Sequence, residues 1–350
     1  MAVLLVDSLV IEYSVEGGAV YALEGVSLSI DEGQIVGLVG ESGCGKTTLG
    51  KAILRLLPDN AVVCAGKVIF QGQDLLQLED AQFRSRRWRD LAYIPQNALS
   101  SLDPVYRVGA QVVEAIRSHE RTTKTQAMDR ARQLFTSIHL EERSLRSYAH
   151  QLSGGMRQRA LIGMAVALSP ALLVIDEPTT ALDVVTQAQV LKEFLRIREQ
   201  MSSSMLYITH DLGVVRQLCD RVIVMYAGQV IEGGAVEDIF ARARHPYTMG
   251  LVNAVPRGRG AAQLVSIPGA PRTFAAGPEV VPLPPGVPSR KSVAPLTSQT
   301  SDNSRTEAVS PATCLNGPGS SGKWPSDRTP GAGWARRHAN EPSHTEEQTR

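Results

Sequence analysis

Residues 35–48, Ile-Val-Gly-Leu-Val-Gly-Glu-Ser-Gly-Cys-Gly-Lys-Thr-Thr, place a glycine-rich loop between an apolar strand and a helix. The loop fits the pattern G-x-x-x-x-G-K-[ST], in which glycines bring backbone N–H groups close to phosphate oxygens and a lysine adds positive charge. The helix that begins near Lys46 directs its partial positive charge to the same anion, and the Thr47 hydroxyl is suited to Mg²⁺. The expected phosphate-binding residues are Gly40, Ser42, Gly43, Cys44, Gly45, Lys46, Thr47 and Thr48.

Length and composition predict a soluble globular protein, with 43% apolar and 20% charged residues in a chain of 350. The net charge of +1 gives no electrostatic reason to expect a nucleic-acid partner. No apolar run predicts a membrane span, and the first residues lack the basic start of a signal peptide. The four cysteines, at positions 44, 64, 219 and 314, form no C-x-x-C pair, which favours a reducing cytoplasm.

The apolar patterning along the chain predicts an α/β fold. Strand-like runs at residues 3–13 and 22–30 predict an antiparallel flap ahead of the strand that leads into the glycine loop. Residues 108–148 carry helical periodicity, so an all-helical insert is expected there. Further strands are expected at residues 66–72, 91–94, 172–175, 205–208 and 221–225. Strands that alternate with helices indicate a mostly parallel sheet covered by helices.

The composition changes after residue 255, because 14 of the 20 prolines lie from there to the end, mixed with Ser, Thr and Gly. Residues 272–350 show no sustained helical or strand period, and we expect this tail to be mostly disordered. The regular patterning that predicts a folded core therefore ends near residue 256.

Two carboxylates, Asp176 and Glu177, end the apolar strand predicted at residues 172–175. The carboxyl ends of parallel strands form the edge at which such sheets bind ligands, so both acids are expected near the glycine loop. Asp176 is expected to orient the Mg²⁺ shell through water, since hydrated Mg²⁺ keeps several of its waters. Glu177 points elsewhere and is expected to polarise a water that attacks the terminal phosphate.

A second glycine pair, in Leu-Ser-Gly-Gly-Met at residues 152–156, opens a helix and creates a second anion site. This segment, the glycine loop, the Asp176-Glu177 strand end and His210 occur in the order and spacing of the ATP-binding-cassette (ABC) ATPases. Over residues 3–256 the chain resembles this family. The resemblance implies an ABC cassette over residues 1–256, with a RecA-like P-loop NTPase core, an antiparallel β flap and a helical insert at about residues 98–160.

The resemblance implies a head-to-tail pair of cassettes with two ATP molecules between them. Each ATP is then held by the phosphate loop of one protomer and by Ser153, Gly154 and Gly155 of the other. Asp183 matches the loop that crosses the dimer interface in this family. Tyr13 lies where the family places the aromatic residue that stacks on adenine; Tyr21 is the competitor, and packing in the core is an alternative for both.

The catalytic residues are also carried over from the resemblance. Gln96 matches the glutamine that senses Mg²⁺ and the attacking water, and His210 matches the histidine that contacts the γ-phosphate. Catalysis of phosphoryl transfer to water then depends on positioning and charge stabilisation. The expected catalytic residues are Glu177, His210, Gln96 and Lys46, and the expected Mg²⁺ residues are Thr47, Gln96 and Asp176.

Several further stretches resemble the ATPase subunits of dipeptide and oligopeptide importers, with nickel importers as close relatives. They lie at residues 100–104, 150–159, 177–184, 225–228, 245–248 (His-Pro-Tyr-Thr) and 267–271 (Ile-Pro-Gly-Ala-Pro). Residues 257–271 are then a C-terminal extension of the peptide-importer type. Relatives often continue into a cysteine cluster that holds iron and sulfur in some members, but only Cys314 appears here, so no such site is supported.

The same resemblance implies partners and a location. They are a paralogous ATPase subunit or a second copy, two membrane permeases, and an extracytoplasmic substrate-binding protein, with this subunit at the cytoplasmic face of the membrane. Met156, where glutamine is commoner, favours a heterodimer of related ATPases.

Two other functions fit the motifs less well. ABC ATPases that act on DNA or ribosomes carry a long coiled coil or usually two cassettes per chain, whereas about 107 residues separate the two glycine motifs here. A regulatory cassette without hydrolysis conflicts with the presence of Glu177 and His210. The sequence fixes neither the transported solute nor the direction of transport, because specificity resides in the permeases and the delivery protein.

Overall fold

Strands and helices alternate in this computed structural model, which describes residues 1–16, 18–96, 101–179, 183–201 and 203–255. In chain order the strands are β1 (Ala2–Val15), β2 (Gly18–Asp31), β3 (Ile35–Val39), β4 (Ala61–Phe70), β5 (Gln73–Asp74), β6 (Leu91–Ile94), β7 (Leu172–Asp176), β8 (Ser204–Thr209), β9 (Arg221–Tyr226) and β10 (Gln229–Ala235). The helices are α1 (Lys46–Ile53), α2 (Asp80–Arg86), α3 (Val108–His119), α4 (Lys124–Ser137), α5 (Gly154–Val166), α6 (Val184–Met201), α7 (Leu212–Leu218), α8 (Val236–Arg242) and α9 (Pro246–Ala254).

A six-stranded sheet in the order β10-β9-β3-β8-β7-β6 forms the centre of the fold. Strand β3 is parallel to β8 and β9, β7 is parallel to β8 and β6, and β10 returns antiparallel to β9. Every residue of β3, β7 and β8 is buried, because helices or the second sheet cover both faces, and this explains their unbroken apolar runs. The α/β fold predicted from the sequence is confirmed.

The two faces of this sheet bury different side chains. Leu173 and Ile175 of β7 pack towards the helical insert and α6, whereas Leu172 and Val174 pack towards α1 and the second sheet. Successive residues of a strand point to opposite faces, so one short apolar strand contributes to two cores. The carboxyl ends of β3, β8 and β7 consequently lie side by side at one edge, where the glycine loop, His210 and Glu177 follow them.

A four-stranded antiparallel sheet in the order β2-β1-β4-β5 makes the flap. Its inner face buries Leu4, Val6, Leu9 and Ile11 of β1 against strands β2 and β4 and helix α1. The flap predicted from residues 3–13 and 22–30 is thus present, and it places β1 beside the start of α1.

The helical insert is built from α3, α4 and the start of α5. Val112, Val113 and Ile116 of α3 are buried together with Ala131 and Phe135 of α4, as the helical period predicted. Helix α4 begins at a capping box in which the Thr123 side chain accepts from the Gln126 backbone N–H. Helix α5 runs on to Val166, so it carries the insert into the core without a break.

Asp176 is the last residue of β7 and is buried, so the strand ends at the carboxylates as predicted. Two details differ from the sequence predictions. Strand β4 begins at Ala61 rather than 66 and ends at Phe70; its first residues leave no apolar pattern because most of them are only partly buried or exposed. Strands β5 and β10 and the mostly polar helix α2 were not predicted.

Several predictions concern residues outside the described part of the chain. These are the extension at 257–271, the tail at 272–350, residues 98–100 of the insert and the Thr-Ala-Leu that precedes Asp183. Among the described helices, none combines the length and apolar character that a bilayer span requires.

Candidate active site

The phosphate loop is held in a conformation that requires glycine at Gly45. Its φ is +103°, and a Cβ there would lie 2.6 Å from the carbonyl oxygen of Ala22 in the flap. This residue caps α1, so the first free N–H groups of that helix open into the loop. Lys46 is 5% exposed, and its Nζ donates to the carbonyl oxygens of Gly40 at 2.8 Å and Glu41 at 2.7 Å. The ammonium is therefore fixed above the loop that precedes it.

Asp176 lies directly beside the phosphate loop. Its Oδ1 accepts from the Thr47 hydroxyl at 3.1 Å, and its Oδ2 accepts from the Tyr93 hydroxyl at 3.1 Å. Asp176 is 1% exposed. Burial raises the pKa of its carboxyl, and the Thr47 and Tyr93 hydroxyls oppose that rise. Burial also raises the pKa of Tyr93, so its hydroxyl stays a donor.

The oxygens at this corner suit a small hard cation. Mg²⁺ takes oxygen ligands, often one or two carboxylates together with phosphate groups and water. Among the described residues there is no cluster of three or more His, Cys, Asp or Glu side chains that could hold a metal without help. A single buried carboxylate beside a threonine hydroxyl therefore fits Mg²⁺ that arrives with a phosphate ligand, and does not fit a structural transition-metal site.

Glu177 stands at the carboxyl end of β7 between two polar side chains. Its Oε2 accepts from Gln96 Nε2 at 2.9 Å, and its Oε1 lies 3.4 Å from His210 Nδ1. Its backbone has a φ of +45°, a left-handed conformation that residues other than glycine rarely adopt. Its backbone N–H donates to the carbonyl oxygen of Ile208 at 2.9 Å. The structure thus brings Glu177, Gln96 and His210 together.

A cleft of about 850 Å³ opens between the flap and the phosphate loop. The Tyr13 side chain lines it, packs against the flap core, and places its hydroxyl 3.4 Å from Thr48 Oγ1. Tyr21 is not among the described residues that line this cleft. The lining residues of the flap are Tyr13, Val15, Glu16, Gly18, Ala19, Val20 and Ala22, and those opposite are Ser42, Gly43, Gly45, Lys46, Thr47, Thr48, Gln96 and Glu177.

The second glycine motif forms a separate corner. Ser153 caps α5 by accepting from the Met156 N–H at 3.3 Å, and Gly154 and Gly155 begin that helix. The Asp183 carboxylate accepts from the N–H groups of Val185 and Thr186 and from the Thr186 hydroxyl at 2.7 Å. These bonds, that of the Thr186 hydroxyl first, lower the pKa of Asp183.

The two helix starts are in contact, since a Cβ at Gly155 would lie 2.7 Å from Thr186 Cγ2. Neither Ser153, Gly154, Gly155 nor Asp183 is among the described residues that line the cleft beside Lys46. The predicted residues at the starts of α5 and α6 therefore lie beside each other and do not line the cleft.

Sequence reasoning did not single out Tyr93 as a site residue. Its position in an apolar strand, three residues before Gln96, is the signal that was present. A tyrosine hydroxyl on a nearly buried strand requires a polar partner, and the partner here is the predicted metal residue Asp176.

Comparison with known proteins places this site in a family. A family model described as ABC transporter matches residues 23–180, and the model described as oligopeptide/dipeptide transporter, C-terminal region, matches residues 231–280. The chain is 48% identical, over 254 residues, to a probable peptide ABC transporter ATP-binding protein of Sinorhizobium fredii, covering 71% of this chain and 76% of that protein. The chain belongs to the ABC transporter ATP-binding proteins. The resemblance inferred from the sequence is confirmed.

Other relatives of this ABC ATP-binding protein agree. It is 41% identical over 271 residues to the oligopeptide transport ATP-binding protein OppD of Bacillus subtilis, covering 76% of both chains. It is also 41% identical over 290 residues to the dipeptide transport ATP-binding protein DppD of the same organism, covering 82% of this chain and 85% of that protein.

Solved structures resemble the same region. A dimeric, post-hydrolysis ATP-binding cassette bound to ADP and Pi, MJ0796, superposes with a TM-score of 0.60 at 26% identity, covering 67% of this chain and 98% of that one. A second dimeric structure of that cassette superposes with a TM-score of 0.61 and the same coverage. The cassette fold predicted for this ABC protein is confirmed.

Proposed function

We propose that this ABC ATPase hydrolyses ATP to drive the uptake of dipeptides or oligopeptides through partner permeases. The observation that carries the proposal is the position of Glu177, with Gln96 at 2.9 Å and His210 at 3.4 Å, at the cleft that Lys46 and Thr47 also line. The OppD and DppD relatives, which are oligopeptide and dipeptide transport proteins, support the choice of solute. They favour peptides over nickel, and they favour transport over an action on DNA or ribosomes.

The residues of the cleft divide the work of binding ATP. The loop N–H groups and the Lys46 ammonium hold the phosphates, while Tyr13 offers its ring to the adenine. Ring stacking on a base is worth about 1–3 kcal/mol. Gly40, Ser42, Gly43, Cys44 and Gly45 shape the loop, and Thr48 holds the Tyr13 hydroxyl.

Hydrolysis requires an attacking water aligned with the γ-phosphate. Glu177 accepts a hydrogen bond from this water, and Gln96 and His210 fix the direction of the carboxylate through their contacts with its two oxygens. Thr47, Asp176 and Gln96 are the residues that would hold Mg²⁺, which when bound neutralises charge on the phosphates. Lys46 stabilises charge on the transferring group.

The separate corner at Ser153 supports a head-to-tail dimer. The N-terminus of α5 is an anion site that lies outside the cleft of its own chain among the described residues, so we assign it to the γ-phosphate held by a partner chain. Gly154 and Gly155 bring the backbone close, and Asp183 joins the interface beside them. The partner is a paralogous ATPase or a second copy.

The remaining parts of the assembly follow from this role. Two membrane permeases would receive the subunit at the cytoplasmic face of the membrane, and an extracytoplasmic binding protein would deliver the peptide. We assign residues 1–256 to the cassette, with an insert at about 98–160, and 257–271 to the extension. The tail at 272–350 is dispensable for hydrolysis in this proposal.

The test is ATP hydrolysis by purified Glu177→Gln protein. The amide keeps the size of the side chain and removes its charge, so we expect turnover to fall roughly 100- to 10,000-fold while ATP binding remains. Glu114→Gln, an exposed residue of α3, is the matched control and should hydrolyse ATP like the wild type. Full turnover by Glu177→Gln would reject the role of Glu177.

The proposed role in peptide transport is tested separately, by copurification and by an uptake assay. The tagged subunit should copurify from membranes with two permeases, and cells that lack it should lose uptake of a labelled dipeptide or oligopeptide. Purification with ribosomes or DNA, or uptake that is unchanged in its absence, contradicts the transport role while leaving hydrolysis intact.

A further inference from the structure

A tyrosine near the end of the described chain contacts the phosphate loop. Tyr247 lies in α9 and is 7% exposed. Its hydroxyl oxygen accepts a hydrogen bond of 2.9 Å from the backbone N–H of Glu41, the second residue of the loop. The two residues are 206 positions apart, and Tyr247 lies in the segment matched by the C-terminal region of oligopeptide and dipeptide transporters.

The N–H that Tyr247 holds belongs to the peptide group that joins Gly40 to Glu41. The other end of this peptide group is the carbonyl oxygen of Gly40, which accepts from Lys46 Nζ at 2.8 Å. A peptide group is rigid and planar, so contacts at its N–H and its C=O together fix its orientation. Tyr247 thus helps to determine where the ammonium of Lys46 lies.

A series of hydrogen bonds from Glu232 through His245 holds Tyr247 in place. The carboxylate of Glu232, on β10, accepts from the N–H groups of Arg244 at 2.7 Å and His245 at 3.0 Å. His245 Nδ1 then accepts from the N–H of Tyr247 at 3.2 Å and caps α9. Burial lowers the pKa of His245, which agrees with a neutral ring whose Nδ1 is an acceptor.

The aromatic ring is also fixed. It packs on Tyr226 with ring centroids 4.9 Å apart, in the small core formed by β9, α7, α8 and α9. The hydroxyl is therefore aimed at Glu41 by contacts on both sides of Tyr247, and the contact with the loop does not depend on a flexible side chain.

We propose that Tyr247 is a positioning residue for the nucleotide site, through which the C-terminal transporter region orients the phosphate loop and Lys46. This inference rests on the proposed function, because it assigns Tyr247 a role in ATP binding at that cleft. Residues 231–255, the described part of the matched segment, then contribute to the ATP site of the cassette.

The expected effect of Tyr247→Phe follows from the lost hydroxyl. Phenylalanine keeps the ring and its packing but leaves the Glu41 N–H without its acceptor, so the peptide group is free to turn. A net hydrogen bond of ordinary strength corresponds to roughly a 3- to 10-fold change in an equilibrium constant. We therefore expect the Kd and KM for ATP to rise about 3- to 10-fold. The value of kcat should fall by a smaller factor than KM rises, because the Lys46 ammonium binds the phosphates in the ground state as well as stabilising charge on the transferring group.

The experiment compares full-length wild type, Tyr247→Phe and Tyr226→Phe. ATP binding in the presence of Mg²⁺ is measured by calorimetry, hydrolysis by phosphate release, and stability by thermal unfolding. Tyr226→Phe removes a hydroxyl from the neighbouring ring and leaves the contact with Glu41 in place, so its Kd and KM should match the wild type. A rise in KM without a matching fall in kcat, seen only for Tyr247→Phe, supports positioning.

Three results overturn the inference. The first is an ATP affinity of Tyr247→Phe equal to that of the wild type, the second is a loss of thermal stability alone, and the third is an equal weakening of ATP binding in Tyr226→Phe. Failure of the wild type to bind ATP would instead remove the proposed function, and this inference with it.

Discussion

The hydroxyl of Tyr93 offers a sensitive test of the metal corner, because it can be removed without changing the shape of β6. In Tyr93→Phe the buried carboxylate of Asp176 keeps the Thr47 hydroxyl and loses the one that donates to its Oδ2 at 3.1 Å. Burial raises the pKa of Asp176, and the Tyr93 bond opposes that rise, so its removal raises the pKa further.

The loss of unfolding free energy in Tyr93→Phe depends on the charge of Asp176. A hydrogen bond to a charged group contributes about 1.5–3 kcal/mol, and a neutral one about 0.5–1.5 kcal/mol. Because the Tyr93 bond lowers the folded-state pKa, the extra stabilisation that it gains from the charge of Asp176 is complete when Asp176 is ionised. This extra part is lost as the pH falls through that pKa. The deficit in unfolding free energy of Tyr93→Phe should therefore be about 1.5–3 kcal/mol at about pH 8.5 and should shrink towards about 1 kcal/mol in acid.

Denaturant unfolding of the full-length protein from about pH 8.5 to about pH 4.5 measures this deficit directly. Tyr226→Phe serves as the control, and its deficit should not depend on pH in the same way. In hydrolysis assays the acid limb of the pH profile should move to higher pH in Tyr93→Phe, while activity in base stays close to wild type. The titration of ATP itself is common to both proteins and cancels in the comparison. A deficit that stays constant while the pH falls through the folded-state pKa of Asp176 would refute the coupling between Tyr93 and Asp176.

Two further substitutions test the two glycine motifs. Gly45→Ala places a Cβ against the Ala22 carbonyl at a φ of +103°, and we expect about 1–3 kcal/mol less stability in urea unfolding together with weaker ATP binding by calorimetry. Ser153→Ala removes the cap of α5 and should cost about 1 kcal/mol of stability, as Thr123→Ala should at the cap of α4. Only Ser153→Ala should also slow ATP hydrolysis at saturating ATP, and equal hydrolysis by the two variants would contradict an ATP contact at Ser153.

The core of the fold could be predicted because local signals and burial agree there. The glycine loop marks the join between β3 and α1, and the unbroken apolar runs mark strands that are covered on both faces. Asp176 and Glu177 could be placed at the binding edge from the parallel order of the strands alone. The positions of residues at a strand end or a helix start thus follow from sequence.

In the elements that were not predicted from the sequence, local signals and burial do not agree in this way. Helix α2 is short and mostly polar, so it has no apolar period, and it begins at a capping box formed by Glu79 and Gln82. Strand β10 includes Gly233 and Gly234, which weaken any strand pattern, and it forms because it pairs with β9. Pairing across the sheet, rather than local preference, determines β10.

The contacts of Tyr93 and Tyr247 were beyond sequence reasoning for a different reason. Each joins residues far apart in the chain, Tyr93 to Asp176 and Tyr247 to Glu41, and no local pattern specifies such partners. They arise only when the sheet and α9 have packed. The catalytic and binding roles assigned to individual residues stay predictions, which the substitutions above are designed to test.

The left-handed backbone at Glu177 has an evolutionary consequence. Glycine accepts a φ of +45° more readily than glutamate, so Glu177→Gly would relieve this backbone strain and, under the role proposed for Glu177, would abolish turnover in the same step. A substitution that stabilises the backbone at this position would thus leave a cassette that binds its nucleotide without hydrolysing it, which is a trade of activity for stability. Only selection for ATP hydrolysis would keep a glutamate at this position.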